Sequence, residues 1–444
     1  FKDQAGEFGI GFSGPSVMMA LADYDLDGDL DAYLLTNRHK ASDREAALVK
    51  SFNLVQVNGQ WTVQEEVRDL VGISPLPDGL INLPQKGNRL NLGYDDRFTL
   101  PDGVEAVLIL TGQRDRLYRN NLVESGTTSF TDVTDSTLEG ASSAHDCGLS
   151  ATWWDYNSDG LPDLYVANDF KGPDHLYRNR GDGTFSDVIQ EVLPHTPRYS
   201  MGSDTADINN DGLPDLMGSD MQGTSHYTRK LMMGNMSRSA WFLEAANPQQ
   251  YMRNAVYLNS GVDRFMEAAQ MAGVSDTGWT WALKFGDLAN DGDEDLYVSN
   301  GMTREWFNSD LKNQSQKILD QGGQQAMDAF WRDQPQQREP NIAFENSGEL
   351  KFKNMGKAWG LDYEGVSFGA ALGDLDQDGD LDLVVNNFEE PASVYRNGST
   401  EGHQVKIRLQ GVESNQFGIG ATVRIRSAAG QQMRYLTLSR GFMS

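Results

Sequence analysis

The feature that most constrains this chain is a short acidic pattern that occurs five times. It reads D-x-[D/N]-x-D-G-x-x-D in four copies, and the fourth copy has Ala289 at the third position. The copies, here called loops 1 to 5, begin at Asp23, Asp155, Asp207, Asp287 and Asp374. A pattern that recurs in this way predicts a repeat architecture.

The spacing within each copy suits oxygen coordination of a hard cation. Calcium takes about six to eight oxygen ligands, which a tight loop supplies from positions 1, 3, 5 and 9 and from the backbone carbonyl at position 7. Glycine at position 6 lets the chain turn around the ion. Magnesium fits less well because it prefers few protein ligands and keeps its waters. We therefore predict four to five bound Ca²⁺ ions as the cofactors.

The predicted metal residues follow from these positions. They are Asp23, Asp25, Asp27, Asp29 and Asp31 in loop 1; Asp155, Asn157, Asp159, Leu161 and Asp163 in loop 2; Asp207, Asn209, Asp211, Leu213 and Asp215 in loop 3; Asp287, Asp291, Asp293 and Asp295 in loop 4; and Asp374, Asp376, Asp378, Asp380 and Asp382 in loop 5. Because Ala289 removes a ligand from loop 4, two alternatives stay open there: a metal site or a solvated acidic turn.

The residues after the loops exclude an EF-hand. That motif needs a bidentate glutamate at position 12, where this chain has Leu34, Val166, Gly218, Val298 and Val385. The segments that follow, such as LYVAN and LVVNN, are short runs of apolar, β-branched and aromatic residues. Such runs are typical of strands. The loops are therefore predicted to connect strands.

A second signature alternates with the loops. Segments such as LYRNRGDGTFSDVI read as a strand, a turn and a second strand, and their leading aromatic residues are Tyr118, Tyr177, Tyr257, Phe344 and Tyr395. Three of these, Tyr177, Tyr257 and Phe344, each precede the next loop by 30 residues. The distance from a loop to the next aromatic residue varies instead. Insertions thus fall on one side of a repeat unit of about 52 residues.

Units of four short strands at this period predict an all-β fold, a β-propeller of six or seven four-stranded blades. Six units can be counted if residues 52–112 form a blade that has lost its metal ligands. The FKDQAG segment at Phe1 matches the strand that VYRNGS, from Val394, leaves without a partner, which would close the ring. We predict a propeller over residues 1–402, with partly helical insertions at about 38–114, 220–253 and 302–340, and the start of a small C-terminal β domain over 403–444.

Together the two signatures resemble the FG-GAP/VCBS repeat family, which is related to the propellers of integrin α subunits. The segment from Glu401, with NQFGIGATVRI, resembles the start of the ASPIC and UnbV domain that follows such repeats in the cartilage acidic protein family. The resemblance implies an extracytoplasmic calcium-binding propeller with a recognition, adhesion or scaffold role. It also implies that the calcium ions are structural.

The net charge and the lack of a long apolar run exclude some classes of partner. The chain has 37 Lys and Arg against 64 Asp and Glu, a formal net charge of −27, which repels nucleic acid and anionic membranes. No apolar run reaches the roughly 18 residues of a membrane helix, so we expect no membrane insertion. We expect a protein or glycan ligand at one propeller face. We also expect a secreted, periplasmic or cell-surface location, with a signal peptide that is not within this chain.

No metal-hydrolase, nucleophile-elbow, phosphate-loop or dinucleotide motif occurs, so we predict a protein that is not an enzyme. Two alternatives remain. The first is a propeller hydrolase, lyase or oxidoreductase with its site in the central channel, where loops gather. The second is a subunit of a larger extracellular assembly, in which the insertions contact a partner.

Overall fold

The fold is described from a computed structural model of the chain. It covers residues 3–37, 53–57, 59–65, 71–75, 97–110, 112–138, 147–169, 173–233, 247–399, 402–427 and 430–443. Strands dominate these residues, and most helices are single turns. The predicted all-β propeller is confirmed.

Three four-stranded antiparallel sheets form the first three blades. Blade 1 has β1 (Ser16–Ala22), β2 (Asp31–Thr36), β8 (Arg116–Asn120) and β9 (Phe130–Asp132); blade 2 has β10 (Cys147–Trp154), β11 (Asp163–Asp169), β12 (His175–Asn179) and β13 (Phe185–Asp187); blade 3 has β15 (Ser203–Ala206), β16 (Asp215–Gly218), β19 (Ala255–Leu258) and β20 (Met266–Glu267). Each acidic loop joins the first strand of its blade to the second.

Blades 4 and 5 repeat the arrangement with small changes. Blade 4 has β21 (Gly278–Gly286), β22 (Asp295–Asn300), β24 (Ile342–Asn346) and β25 (Phe352–Asn354), and β17 (Met221–Gln222) is added beside β21; blade 5 has β27 (Ser367–Gly373), β28 (Asp382–Asn387) and β29 (Ser393–Tyr395). The register is the same in all five. The second residue of the second strand pairs with the aromatic residue of the third, as in Leu164 with Tyr177 and Leu296 with Phe344.

The first strands of the blades lie around the axis. Contacts run from β1 to β10, then to β15, β21 and β27. Buried apolar side chains fill the space between successive blades, so each of the four junctions from blade 1 to blade 5 has its own core. Trp153 and Trp154 show how one strand contributes to two of these cores, because adjacent strand residues point to opposite faces of the sheet. Trp153 packs in the core shared with blade 1, and Trp154 packs in the core shared with blade 3.

The blade count differs from the six or seven predicted. A hairpin of β3 (Leu54–Val57) and β4 (Gln60–Val63) and a sheet of β5 (Val71–Pro75), β6 (Arg97–Thr99) and β7 (Glu105–Leu110) lie between β2 and β8 in the chain. Since β2 pairs directly with β8, these strands are an insertion within blade 1 and not a further blade. They have their own small core, which includes Val63 and Phe98. The described residues therefore form a five-blade propeller arrangement.

The long insertions all connect the second strand of a blade to its third, at the end of the propeller opposite the acidic loops. Those of blades 3 and 4 carry α5 (His226–Met233) and α7 (Ser309–Arg332), which contact each other. Two small sheets accompany them: parallel β14 (Thr196–Pro197) with β18 (Gln250–Tyr251), and β23 (Glu339–Pro340) with β26 (Glu364–Gly365). We call this end of the propeller the insertion face and the other end the loop face.

The remaining helices are single turns. They are α1 (Ala5–Phe8), α2 (Leu122–Ser125), α3 (Thr134–Thr137), α4 (Ile189–Val192), α6 (Ala269–Ala272) and α8 (Gly356–Trp359). None of the helices in the described ranges has the length and apolar character needed to span a bilayer. The FKDQAG segment was expected to supply the missing strand of the last blade, and its first two residues, Phe1 and Lys2, lie outside the described residues. Its described part does not form that strand, because Ala5 and Gly6 belong to α1 and the last blade has three strands in the described ranges. The C-terminal segment forms a hairpin of β30 (Thr422–Ser427) and β31 (Gly430–Tyr435).

Candidate metal centres

All five acidic loops have the same backbone conformation. The residue at position 4 has a positive φ in each loop, 59° at Leu26 and 58° at Asn290 for example, and the glycine at position 6 has a φ of 87° to 108°. A side chain at position 6 would be strained in this left-handed region, which explains the glycine. Loop 4 shares the conformation although Ala289 supplies no side-chain oxygen. Its backbone is therefore compatible with a metal site.

Loops 1 and 5 bring three carboxylates together. One oxygen from each of Asp23, Asp25 and Asp27 lies within 4.8 Å of the others, and Asp374, Asp376 and Asp382 form the same kind of group. In loop 1, Oδ1 of Asp25 and Oδ2 of Asp27 are buried and accept no hydrogen bond. Buried carboxylate oxygens without a donor are unfavourable. A divalent cation would satisfy them, so the donor set fits calcium.

Loops 2, 3 and 4 hold fewer carboxylates. Asn157 and Asn209 occupy position 3 in loops 2 and 3, and each amide nitrogen donates to the position 5 aspartate, at 2.8 Å and 2.9 Å. Within the described parts of the chain, these three loops form no group of three acidic, histidine or cysteine ligands. Oδ1 of Asp207 in loop 3 is nevertheless buried without a hydrogen-bond partner. The metal assignments in these loops stay predictions.

The aspartate at position 9 fastens each loop to its own blade. In loop 2, Oδ1 of Asp163 accepts from the backbone N–H of Asn179 at 2.8 Å, and Oδ2 accepts from Tyr156 N–H at 3.2 Å. The same two bonds recur at Asp31, Asp215, Asp295 and Asp382. Each of these carboxylates therefore links the loop to the end of the blade's third strand. This role exists whether or not the group also binds metal.

In blades 2 to 5, the asparagine at the end of the third strand connects neighbouring blades. Nδ2 of Asn259 donates to Pro214 O of its own loop at 3.2 Å and to Tyr156 O of the preceding loop at 2.7 Å. Asn179, Asn346 and Asn397 make equivalent bonds to the loops before them. Sequence reasoning missed this set. The signal was present, because an asparagine stands two residues after every leading aromatic residue.

Burial makes these loops unfavourable for charged carboxylates when no cation is bound. Burial is the main cause that raises the pKa of Asp25 to about 6 and the pKa of Asp31 to about 8, and neighbouring aspartates add to it. The pKa of Asp215 is raised to about 8 and that of Asp295 to about 7 for the same reasons. A bound divalent cation would reverse this tendency because it favours the ionised carboxylate.

The C-terminal segment crosses the loop face. Lys406 pairs with Asp374 of loop 5, and Asn415 Nδ2 lies 3.4 Å from Asp23 Oδ2 of loop 1. Tyr435 packs against the core between blades 2 and 3, and Arg434 pairs with buried Glu294 of loop 4 at 2.7 Å. Residues 402–427 and 430–435 thus pass over loops from the last blade to the first and back toward the middle blades. Cationic and amide side chains of this segment contact the acidic loops.

The segment then enters the central channel. Gly441 N–H donates to Ser203 O at 2.7 Å, and Gly441 O accepts from Ser150 Oγ at 3.2 Å. The buried ring of Phe442 lies 4.9 Å from that of Trp281, centroid to centroid. These contacts reach the first strands of blades 2, 3 and 4. Residues 440–442 therefore fill the channel between these strands.

Comparisons with known proteins agree with the predicted family resemblance. A family model described as FG-GAP-like repeat matches residues 155–217, which include loops 2 and 3, and a model described as ASPIC and UnbV matches residues 411–444. Cartilage acidic protein 1 of Xenopus tropicalis is 29% identical over 92 residues, which are 20% of this chain. The match spans 14% of the length of that relative.

The solved structures that match have lower sequence identity to this chain. A lectin from Agrocybe aegerita that recognises non-reducing terminal N-acetylglucosamine is 14% identical, with 86% of this chain and 90% of that chain covered and a TM-score of 0.29. The exotype rhamnogalacturonan lyase YesX is 10% identical, with 95% and 71% covered and a TM-score of 0.27. The chain therefore contains an FG-GAP-like repeat region at residues 155–217 and an ASPIC and UnbV region at residues 411–444, and both are consistent with the predicted resemblance to the cartilage acidic protein family.

Proposed function

We propose that this protein is an extracytoplasmic propeller that binds calcium in its acidic loops and acts as a recognition, adhesion or scaffold module. The observation that carries the calcium proposal is the common geometry of the five loops. Each has the same turn and the same position 9 anchor, and in loop 1 buried carboxylate oxygens lack a donor. Calcium bound there is structural, because each loop joins the first two strands of its blade and its position 9 aspartate is bonded to the backbone at the end of the third strand.

The same arrangement supports a function other than catalysis. An enzyme with its site in the central channel would need open space between the first strands of the blades. Arg440, Gly441 and Phe442 occupy that space, and Asp204 and Lys284, which line it, are bonded to Arg440. The polar groups of the channel are therefore used to hold the chain's own C-terminal segment.

The insertion face is the surface that we assign to a protein or glycan ligand. Residues 402–427 and 430–435 cross the loop face, whereas the insertion face carries a cavity of about 450 Å³ between α5, the segments just before and after α7, and blade 4. Tyr227 and Arg338 line this cavity, and Tyr227 is 71% exposed. An exposed aromatic ring beside charged and amide side chains suits recognition of a polar ligand.

Thermal unfolding tests the calcium proposal. With free calcium about tenfold above the dissociation constant, each occupied site adds about 1.4 kcal/mol to the free energy of unfolding. Extracellular modules bind calcium with dissociation constants of about 10⁻⁴ to 10⁻³ M, so millimolar calcium should raise the melting temperature and a chelator should lower it. Magnesium at the same concentration is the control. Equal melting temperatures with calcium and with chelator would overturn the proposal.

A binding experiment tests the recognition role. Immobilised glycans and extracellular matrix proteins are probed with the wild type, with Tyr227→Ala and with Arg426→Ala. Arg426 is exposed on the C-terminal hairpin, so its variant is the control for the other face. The proposal expects a ligand whose binding is reduced by Tyr227→Ala and not by Arg426→Ala. A ligand that responds only to Arg426→Ala would place recognition on the loop face.

A further inference from the structure

Beside the loop 1 group lies a second group of carboxylates that the repeat pattern does not predict. One oxygen from each of Asp27, Asp29 and Glu124 lies within 4.8 Å of the others. Asp27 and Asp29 belong to loop 1, at positions 5 and 7. Glu124 belongs to α2, the single turn between β8 and β9, so the group joins the loop to the outer hairpin of the same blade.

The burial of Asp29 is a separate indication that a ligand belongs here. Asp29 is only 5% exposed, and its Oδ2 accepts from Val123 N–H of α2 at 3.0 Å. Its Oδ1 is buried and accepts no hydrogen bond, and the same holds for Oδ2 of Asp27. Two buried carboxylate oxygens without donors in one small group are unfavourable unless a cation lies between them.

Among the described residues, the cation that pairs with this group is Arg119, and it does not satisfy the two buried oxygens. Nε of Arg119 is 3.9 Å from Oε1 of Glu124, which is beyond hydrogen-bond distance. Arg119 therefore balances part of the charge of Glu124 alone. Loops 2 and 3 have no carboxylate at position 7, because Leu161 and Leu213 stand there. In loop 4, Asp293 Oδ1 accepts from Asn210 Nδ2 at 2.5 Å.

We propose that Asp27, Asp29 and Glu124 form a second divalent cation site next to loop 1, with Asp27 shared between the two sites. This inference rests on the proposed calcium binding of loop 1, because Asp27 would be a ligand of both the loop 1 cation and the second cation. Three carboxylates with an open, partly solvated side at Glu124 suit a hard cation that prefers oxygen ligands, and we assign calcium. The ion ties the loop to α2 and so to the outer hairpin of blade 1.

Counting bound calcium tests the site. Equilibrium dialysis of the full chain with radioactive calcium compares the wild type with Glu124→Gln and with Glu191→Gln. Glu191 is also an exposed glutamate on a single-turn helix, α4 of blade 2, and lies outside the group. Since Glu124 is exposed, its variant should fold normally. We expect Glu124→Gln to lose one calcium ion per chain, or to bind it about tenfold or more weakly, while Glu191→Gln matches the wild type.

A second variant and two contrary outcomes complete the test. Asp29→Leu copies loops 2 and 3 and should lose the same ion, with a normal circular dichroism spectrum as the check on folding. If Glu124→Gln keeps the wild-type number and affinity of calcium ions, the second site is wrong and the proposed function stands. If the wild type itself binds no calcium, both proposals are wrong.

Discussion

Arg440 forms a paired ion bridge with Asp204 in the centre of the propeller. Its Nε donates to Asp204 Oδ1 at 2.6 Å and its Nη2 donates to Oδ2 at 2.9 Å. Asp204 lies on the first strand of blade 3 and is completely buried. Nη2 of Arg440 also donates to Phe285 O of blade 4 at 3.0 Å. One side chain of the C-terminal segment thus fixes that segment to two blades.

Substitution of Arg440 should therefore release the C-terminal segment. Arg440→Met leaves the Asp204 carboxylate buried without its cation, which typically costs about 3 to 5 kcal/mol. We expect a lower melting temperature, together with faster hydrogen exchange of the backbone in residues 430–443. Arg426→Met, at an exposed position in the same segment, is the control and should change neither. Unchanged exchange in Arg440→Met would show that the bridge does not hold the segment.

The asparagines at the ends of the third strands of blades 2 to 5 should couple adjacent blades. Asn259→Ala removes donors from Tyr156 O of blade 2 and Pro214 O of blade 3, and we expect a loss of about 2 to 3 kcal/mol in the free energy of unfolding. Asn120→Ala is the matched control. The side-chain bonds of Asn120 go to Leu30 and Leu122 within blade 1. Asn120→Ala should lose about 1 kcal/mol less of the free energy of unfolding than Asn259→Ala. Equal losses for the two variants in urea unfolding would contradict a coupling role for Asn259.

The stability of the metal-free protein should fall as the pH rises. Asp31 and Asp215 have pKa values near 8 in the folded chain, against about 3.9 when unfolded. The folded state therefore binds more protons than the unfolded state between these pKa values. The contribution of the two protonated carboxyl groups to the free energy of unfolding is complete below about pH 4 and is lost as the pH rises through about 8.

Urea unfolding of dialysed, metal-free protein at pH 5 and pH 8 measures this dependence. We expect the free energy of unfolding to be at least about 2 kcal/mol lower at pH 8, and calcium to restore most of the difference. Asp31→Asn should show a weaker dependence than the wild type. Metal-free protein that is as stable at pH 8 as at pH 5 would refute the prediction.

Loop 4 should gain calcium affinity when its missing ligand is supplied. Ala289→Asp places a carboxylate at position 3 of a loop that already has the turn of the other four, with φ of 58° at Asn290 and 102° at Gly292. We expect one more bound ion, or a gain of about tenfold or more in affinity at one site, because ligand charge sets calcium affinity in such loops.

Isothermal titration of Ala289→Asp, Ala289→Asn and Ala289→Leu with calcium separates the contribution of charge from that of size. Ala289→Asn copies position 3 of loops 2 and 3 and should give a smaller gain. Ala289→Leu should give none. If all three variants bind calcium like the wild type, loop 4 does not hold an ion through position 3.

Much of the blade was predictable because its determinants are local. The aspartate and glycine positions of each loop define a turn within nine residues, and the apolar runs after them define strands. The insertions were also predicted on one side, from the constant spacing of 30 residues between Tyr177 and Asp207. The role of Asp163 as a strand anchor was not predicted, since its partner Asn179 is 16 residues away and the bond depends on the blade register.

The amino-acid sequence is sufficient to identify the loops, the strands and the repeat, because each depends on residues that are close together in the chain. The number of blades, the filled channel and the group of Asp27, Asp29 and Glu124 depend on contacts across distant parts of the chain. Asp204 and Arg440 are 236 residues apart, and β2 finds β8 across a long insertion. Such pairings depend on the packing of whole blades. The packing energy is distributed over many side chains, so no short sequence pattern indicates which residues pair.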